Sequence, residues 1–241
     1  MGHCLFLRKG EVHTAPVTGI LAQDIAVGSV VKLMEGGTAV EYLVVNQGIP
    51  SNSSLYDASC DGTWLLRKDI HSKRMWNSNN ANTYASSAIN TWLNGDFFNS
   101  LGEIERVAVK QVKIPYFVGN GNKTIKSGAN GLSVKAFLLG GYETGWTTSD
   151  LNTFPIDGSV IDFFKDTAKV DTKRIANLEG TAANWHLRSA YTASNTNIFI
   201  VSNSGGFMNS TATRSDGIRP ALVLPGNALF DKSTKLLMGV K

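Results

Sequence analysis

The chain has 241 residues, a formal net charge of +4 and a pI near 9.0. Charged residues supply only 17%, while Gly, Ser, Thr and Asn together fill 84 positions, a bias toward turns and caps that excludes a helix-rich architecture. A hydrophobic share of 42% excludes disorder, and no apolar run reaches the roughly 20 residues of a membrane helix.

In chain order, residues 1–23 read as a docking arm. Leu5-Phe6-Leu7 is apolar, but the mixed stretch after it has no period long enough to stand alone. The first ten residues have no extended apolar stretch and no small-residue cleavage site, so no standard secretory route is expected. Residues 28–33 and 40–47 are β-rich around Glu35-Gly36-Gly37, which predicts a hairpin. A third strand is expected at 63–67, after the Asp61-Gly62 turn. Within 83–101, Ile89, Trp92, Leu93 and Phe97 recur at i, i+3, i+4 and i+8. They mark the core face of a helix that Gly95 breaks and Asp96 caps anew.

Residues 107–115 alternate and end at a proline, as a strand or a helix-to-strand exit. Residues 118–131 read as a long loop rich in Gly and Asn. The run from Gly119 to Thr124 lacks the glycine directly before lysine that a phosphate loop needs, so nucleotide binding is rejected. A strand at 132–139 leads to a loop over 140–158 anchored by Trp146, Phe154 and Pro155. Ile161, Phe163 and Phe164 suggest a short helix. Short strands follow at 185–189, 198–202, 206–209 and 219–224, with Asn203-Ser204-Gly205 turning between two of them. The expected organisation is an arm (1–23), one domain (24–225) and a C-terminal tail (226–241).

Chemistry-bearing residues are sparse. Cys4 and Cys60 are too few for a disulfide framework, and a small buried thiol is the plainer reading of Cys60 than a nucleophile. His3, His13, His71 and His186 lack metal-motif spacing. Asn52, Asp57 and Asp61 offer calcium-type oxygens, against which a solvated loop is the stronger reading. Arg67-Lys68 and Lys73-Arg74 fall far short of a nucleic-acid stripe. No metal, cofactor, nucleic acid or membrane insertion is expected. His186 alternates away from Trp185 and Leu187, so it faces outward if those two are core. Arg188 shares its face, where a planar fork of donors suits it to hold neighbouring loops.

Trp185-His-Leu-Arg-Ser189, a polar stretch, and then Gly217-Ile-Arg-Pro-Ala-Leu-Val-Leu224 resemble a known signature. It is that of the C-type-lectin-like branch containing formylglycine-generating enzymes and the variable proteins of diversity-generating retroelements. More closely, the chain resembles a family common in phages and prophages of Gram-positive gut bacteria. Leu7-Arg-Lys-Gly-Glu-Val-His-Thr-Ala-Pro16, Asp61-Gly-Thr-Trp-Leu-Leu66 and Ala88-Ile-Asn-Thr-Trp-Leu-Asn94 carry the likeness, as do Lys110-Gln-Val-Lys-Ile-Pro-Tyr116, Ser127-Gly-Ala-Asn-Gly-Leu-Ser133 and Phe137-Leu-Leu139. Ala190 departs from a frequent proline and His186 from a frequent aromatic. No cysteine follows Cys60, so the late cysteine pair of formylglycine-generating enzymes is missing, and the calcium-and-sugar motifs of true lectins are absent.

The resemblance implies an α+β, C-type-lectin-like fold with short twisted strands, one or two helices and long loops. It also implies a phage or prophage tail-tip or fibre protein that recognises a bacterial cell-surface receptor, protein or glycan. Such a protein works on a virion, docks onto other tail proteins through residues 1–23, and by analogy with fibres forms a homo-oligomer, expected as a trimer. Residues 190–216 match a diversified segment: 13 of the 27 are Ser, Thr or Asn, and Lys, Glu, Gln, Leu, Pro, Cys and Trp are missing. A plain polar turn region would favour the same residues. The expected ligand-facing set is His186, Tyr191, Thr192, Ser194, Asn195, Asn197, Phe199, Phe207, Asn209, Thr211 and Arg214. A structural virion component, or an enzyme like the formylglycine-generating type, stands as the alternative.

Overall fold

The computed structural model describes residues 19–51, 53–146 and 154–241. After the short strand β1 (Gly19–Leu21), two glycines set the first long hairpin. β2 (Val30–Glu35) pairs with β3 (Thr38–Gln47), and Gly36 and Gly37 turn between them at φ 53° and 82°. Left-handed backbone at both turn positions matches the strand twist, and glycine adopts it without a Cβ penalty. Alternation sends Val31 and Leu33 inward. β4 (Thr63–Arg67) adds antiparallel to β3, and β5 (Ser72–Met75) leaves for a second sheet.

The helical stretch begins at Ser87, whose Oγ accepts the Asn90 amide and caps α1 (Ala88–Trp92). The expected break at Gly95 does not occur. The Phe98 amide bonds back to the Leu93 carbonyl, so residues 93–97 form a π turn that runs straight into α2 (Phe98–Ser100). Asp96 lies inside this turn and caps nothing. Ile89, Leu93 and Phe97 are buried as the spacing predicts. α3 (Glu103–Ala108) then exits into β6 (Val112–Ile114).

The loop expected at 118–131 is largely a hairpin. β7 (Tyr116–Gly119) and β8 (Asn122–Lys126) pair across Asn120-Gly121, both at positive φ. β9 (Leu132–Val134) pairs with β6, and β10 (Ala136–Phe137) joins the first sheet. β11 (Asn177–Leu178) and β12 (Thr181–Ala182) form a small ribbon. Next come β13 (Trp185–Ala190), β14 (Asn197–Val201), β15 (Phe207–Thr211), β16 (Ser215–Ile218) and β17 (Ala221–Leu224). β18 (Ala228–Asp231) and β19 (Leu237–Val240) close the chain.

Two five-stranded sheets dominate, ordered β10-β17-β4-β3-β2 and β15-β14-β13-β16-β5, and of the strand pairs within these two sheets only β13 and β16 run parallel. β4 and β17 lie between covered faces, so Trp64, Leu65, Leu66 and the whole of residues 221–224 are buried. Trp64 stands edge-on to Tyr56 and Phe137 at 5.7 and 5.4 Å. The α+β, C-type-lectin-like expectation is corrected here. The described chain is mostly strand, 39% against 18% helix, arranged in several antiparallel sheets. Short polar segments that read as long loops instead close as hairpins, which moves the balance to β. The expected C-terminal tail is corrected as well. β18 and β19 form a three-stranded sheet with β1, with Phe230 and Leu237 buried, so residues 226–241 belong to the folded body. Residues 1–18 of the expected arm lie outside the described residues.

Candidate functional site

β13 is the spine on which the candidate site is built, and all six of its residues are buried. Trp185 and Leu187 point to one side, into a small apolar cluster with Phe199 and Val201. His186 points to the other side, and that side is covered too. Its Nε2 lies 2.9 Å from the Arg74 carbonyl and 3.4 Å from the Asp216 amide, while Nδ1 has no partner. Burial lowers its pKa, which keeps the ring neutral. The outward, ligand-facing position expected for His186 is therefore corrected to a core position at 0% exposure.

Arg188 organises the loops around β13. Its Nη1 and Nη2 reach Glu143 Oε2 and Oε1 at 2.5 and 2.7 Å, and its remaining donors bond the carbonyls of Pro115, Leu138 and Asp157. Tyr56 Oη donates to Glu143 Oε1, and the Gly140 amide donates to Oε2. Burial opposes the Arg188 charge, and the Glu143 carboxylate more than offsets it, so the guanidinium pKa is raised. Ser189 Oγ donates to Asp157 Oδ1 at 2.8 Å, but Asp157 Oδ2 has no partner. Burial pushes that carboxyl up to about 6. The network ties both stems of the 140–158 loop to β13. It gives physical form to the loop-holding role that the Arg188 donor fork suggested.

Arg174 supports the neighbouring turn. It is fully buried and bonds the carbonyls of Thr144, Ala168 and Gly205 and the Thr167 hydroxyl. Its guanidinium lies over the Phe207 ring, 4.5 Å from the centroid. Trp146 stacks on Phe207 at 4.3 Å and meets Phe154 and Phe199 at 4.2 and 5.0 Å; Tyr191 meets Phe199 edge-on at 5.4 Å. Trp146 and Phe154 thus act as the anchors expected of them.

Beside this aromatic cluster lies a polar row. The register pairs Asn197 with Thr211 and Phe199 with Asn209, so period-2 alternation puts the four on one sheet face. Asn209 and Thr211 are exposed, Asn197 is partly covered, and Asn197 Nδ2 donates to Asn209 Oδ1 at 3.2 Å. The loop before β14 is pinned by Asn82, which is fully buried. Its Nδ2 donates to the carbonyls of Ser194, Asn197 and Tyr191 at 2.7, 2.9 and 3.4 Å, and its Oδ1 accepts the Asn120 amide at 2.6 Å. Gly119 makes room for this hub: at φ 76°, a Cβ there would stand 2.2 Å from the Asn82 carbonyl oxygen.

The expected ligand-facing set divides accordingly. Asn195, Asn209, Thr211 and Arg214 are exposed; Tyr191, Thr192, Ser194, Asn197 and Phe207 are partly covered. Phe199 is 3% exposed beneath Trp146 and joins His186 as a correction, because it supports the surface rather than meeting a ligand. Arg214 leans toward Asp216, its Nε 3.4 Å from Oδ2, on the face opposite Asn209 and Thr211. Asn82, Glu143, Asp157 and Arg174 were not singled out from sequence. Asn82 sits in a run of Asn and Ser that has the composition of any polar turn.

Cys60 is buried. Its thiol bonds the Lys113 carbonyl, and burial pushes its pKa up to about 12. Asp57 caps a short turn by accepting the Ser59 amide. The third oxygen donor of the calcium-type trio, Asn52, lies outside the described residues. A family model described as Domain of unknown function (DUF6273) matches residues 61–226. The chain belongs to this family. The DUF6273 span takes in β4–β17, hence every strand of the second sheet and the polar row, and leaves the β2–β3 hairpin and the β1-β18-β19 sheet outside. No curated protein and no solved structure matches the chain.

Proposed function

We propose that this DUF6273 protein is a binding module whose ligand surface is the Asn195, Asn197, Asn209 and Thr211 row together with the flanking Tyr191, Thr192, Ser194 and Phe207. The observation that carries the reading is the pairing of adaptable polar side chains with a fixed aromatic shelf on a pinned backbone. Side-chain amides and hydroxyls supply hydrogen bonds to many ligand shapes, while Trp146 and Phe207 supply rigid contact area, the same division of labour found in antibody paratopes. Asn82 and Arg174 hold the frame from beneath, so a change in the surface residues leaves the frame intact. Binding is favoured over catalysis because Cys60, His186 and Asp157 are each buried and tied into the fold.

The ligand is proposed to be a receptor on a bacterial cell surface, reached from a phage or prophage tail. This part rests on the resemblance of residues 185–189 and 217–224 to phage and prophage proteins, and on the composition of residues 190–216. On the same ground residues 1–23 are proposed to dock onto other tail proteins and the assembly to be a homotrimer, which would raise a weak single-site affinity. The test is adsorption of fluorescently labelled protein to a panel of Gram-positive gut bacteria. The triple variant Asn197→Ala/Asn209→Ala/Thr211→Ala is expected to lose about tenfold or more in binding with only a small fall in Tm, since Asn209 and Thr211 are exposed and the partly covered Asn197 gives up side-chain hydrogen bonds worth about 1 kcal/mol. Full adsorption by the triple variant would overturn the surface assignment.

A further inference from the structure

β15 is the last strand of the second sheet, and β14 is its one neighbour there. The Ala212 amide donates to the Thr196 carbonyl at 2.9 Å, and the Ser202 amide to the Gly206 carbonyl at 2.7 Å. Ladder bonds of an antiparallel pair recur at every second residue, so Met208 and Ser210 supply those in between. The amides and carbonyls of Phe207 and Asn209 and the Thr211 amide therefore point away from the sheet. Among the described residues nothing bonds them, while the Thr211 carbonyl accepts the Arg214 amide at 3.1 Å.

The other three edges of the two large sheets are closed or charged. Along β2, the Lys32 amide donates to the Lys235 carbonyl and the Met34 amide to Glu105 Oε1, and the Met34 carbonyl accepts the Gly102 amide. Asn94 closes β10: its Nδ2 donates to the Ala136 carbonyl and its Oδ1 accepts the Ala136 amide. β5 carries Lys73 and Arg74. β15 has none of these devices. It holds no charge and no proline, and its pairing with β14 runs without a bulge. Folded proteins blunt their edges because a bare one pairs with another strand.

We propose that this bare edge pairs with β15 of a second copy of the chain, antiparallel about a two-fold axis at Asn209. The strand is complementary to itself. At the axis each Asn209 amide would meet the other Asn209 carbonyl, and each Thr211 amide would meet the Phe207 carbonyl of the second copy. The side chains agree. Phe207 would stand across from Thr211, an aromatic beside a β-branched residue, and the exposed Met208 across from Ser210, with no like charges opposed. The pairing does not rest on the ligand reading, but it would set two polar rows side by side and offer two sites to one surface. Being two-fold, it lies outside the proposed three-fold interface and would join chains of different trimers. Five residues a side, against the roughly 20–30 of a standard interface, make a weak contact.

The test is disulfide trapping in the full chain carrying Cys4→Ser. Facing residues of a bonded pair stand about 5.5 Å apart at Cα, within disulfide reach, so Asn209→Cys should cross-link into a dimer under mild oxidation. Met208→Cys should stay free, because its two copies would be about 8 Å apart, past the roughly 7 Å limit. In sedimentation, Asn209→Lys places like charges on the axis and should weaken association through this edge about tenfold or more. No dimer from Asn209→Cys, or as much dimer from Met208→Cys, would overturn the pairing. With Cys4 retained, a link between Cys4 and position 209 in place of the dimer would assign the edge to residues 1–18 and overturn the second copy as its occupant.

Discussion

Arg188 and Glu143 form a two-pronged ion pair wholly out of water, with both side chains at 0% exposure. The pair connects β13 to the stem of the 140–158 loop, and its cost in desolvation is met only because every remaining Arg188 donor finds a carbonyl. Arg188→Met strands a buried carboxylate and is expected to lose about 3–5 kcal/mol in urea unfolding. Arg188→Met combined with Glu143→Gln removes both charges and should cost less than the sum of the two single changes. Strict additivity in that double-mutant cycle would show that the two groups are not coupled.

Asp157 gives the fold an acid-favouring component. Burial raises its folded pKa to about 6, above the unfolded value of roughly 3.9. The protonated form therefore favours the folded state. Its contribution is complete below the unfolded pKa and is lost as pH rises through about 6. Asp157→Asn should flatten that segment of the stability–pH curve. An unchanged slope between these two values in the variant would remove Asp157 as its source.

Asn82 holds the loop that carries Tyr191, Ser194 and Asn195. Asn82→Ala takes the side-chain donor from the Ser194 carbonyl and the acceptor from the Asn120 amide, while the Tyr191 and Asn197 carbonyls keep backbone amide donors, with an expected loss of about 1–3 kcal/mol. Hydrogen exchange should accelerate first at residues 191–197. Protection there equal to the parent's would mean that other contacts set the loop.

Cys60 should behave as an inert thiol. With its pKa pushed up to about 12 by burial, almost no thiolate forms at neutral pH. In a Cys4→Ser background, iodoacetamide should leave the native protein unlabelled and should alkylate it once urea unfolds it. Rapid labelling of the native form would place Cys60 at the surface and reopen a nucleophilic role.

Local patterns were legible where a single stretch of chain holds its own reason. Gly36-Gly37 between two β-rich runs sets the β2–β3 hairpin, and 63–67 is a strand as its composition says. The same turn chemistry stands at Asn120-Gly121, but the Gly and Asn around it have the composition of a long loop as much as of a hairpin. Gly95 misled in the other direction. Glycine usually ends a helix, yet here the π turn carries the helix past it.

The amino-acid sequence by itself determined which residues lie on opposite sides of strands such as β2, β4 and β13, which face of the 88–100 helix is apolar, and that residues 190–216 are a polar, small-residue segment. Alternation is a property of the strand alone, so it needs no neighbour. Tertiary structure alone decided whether each side is covered. It placed His186 and Phe199 under other elements while Asn209 and Thr211 stayed in water, and it paired β18 with β1 across the length of the chain. Burial depends on what packs against a face from distant sequence, and a register of alternating side chains carries no record of that partner.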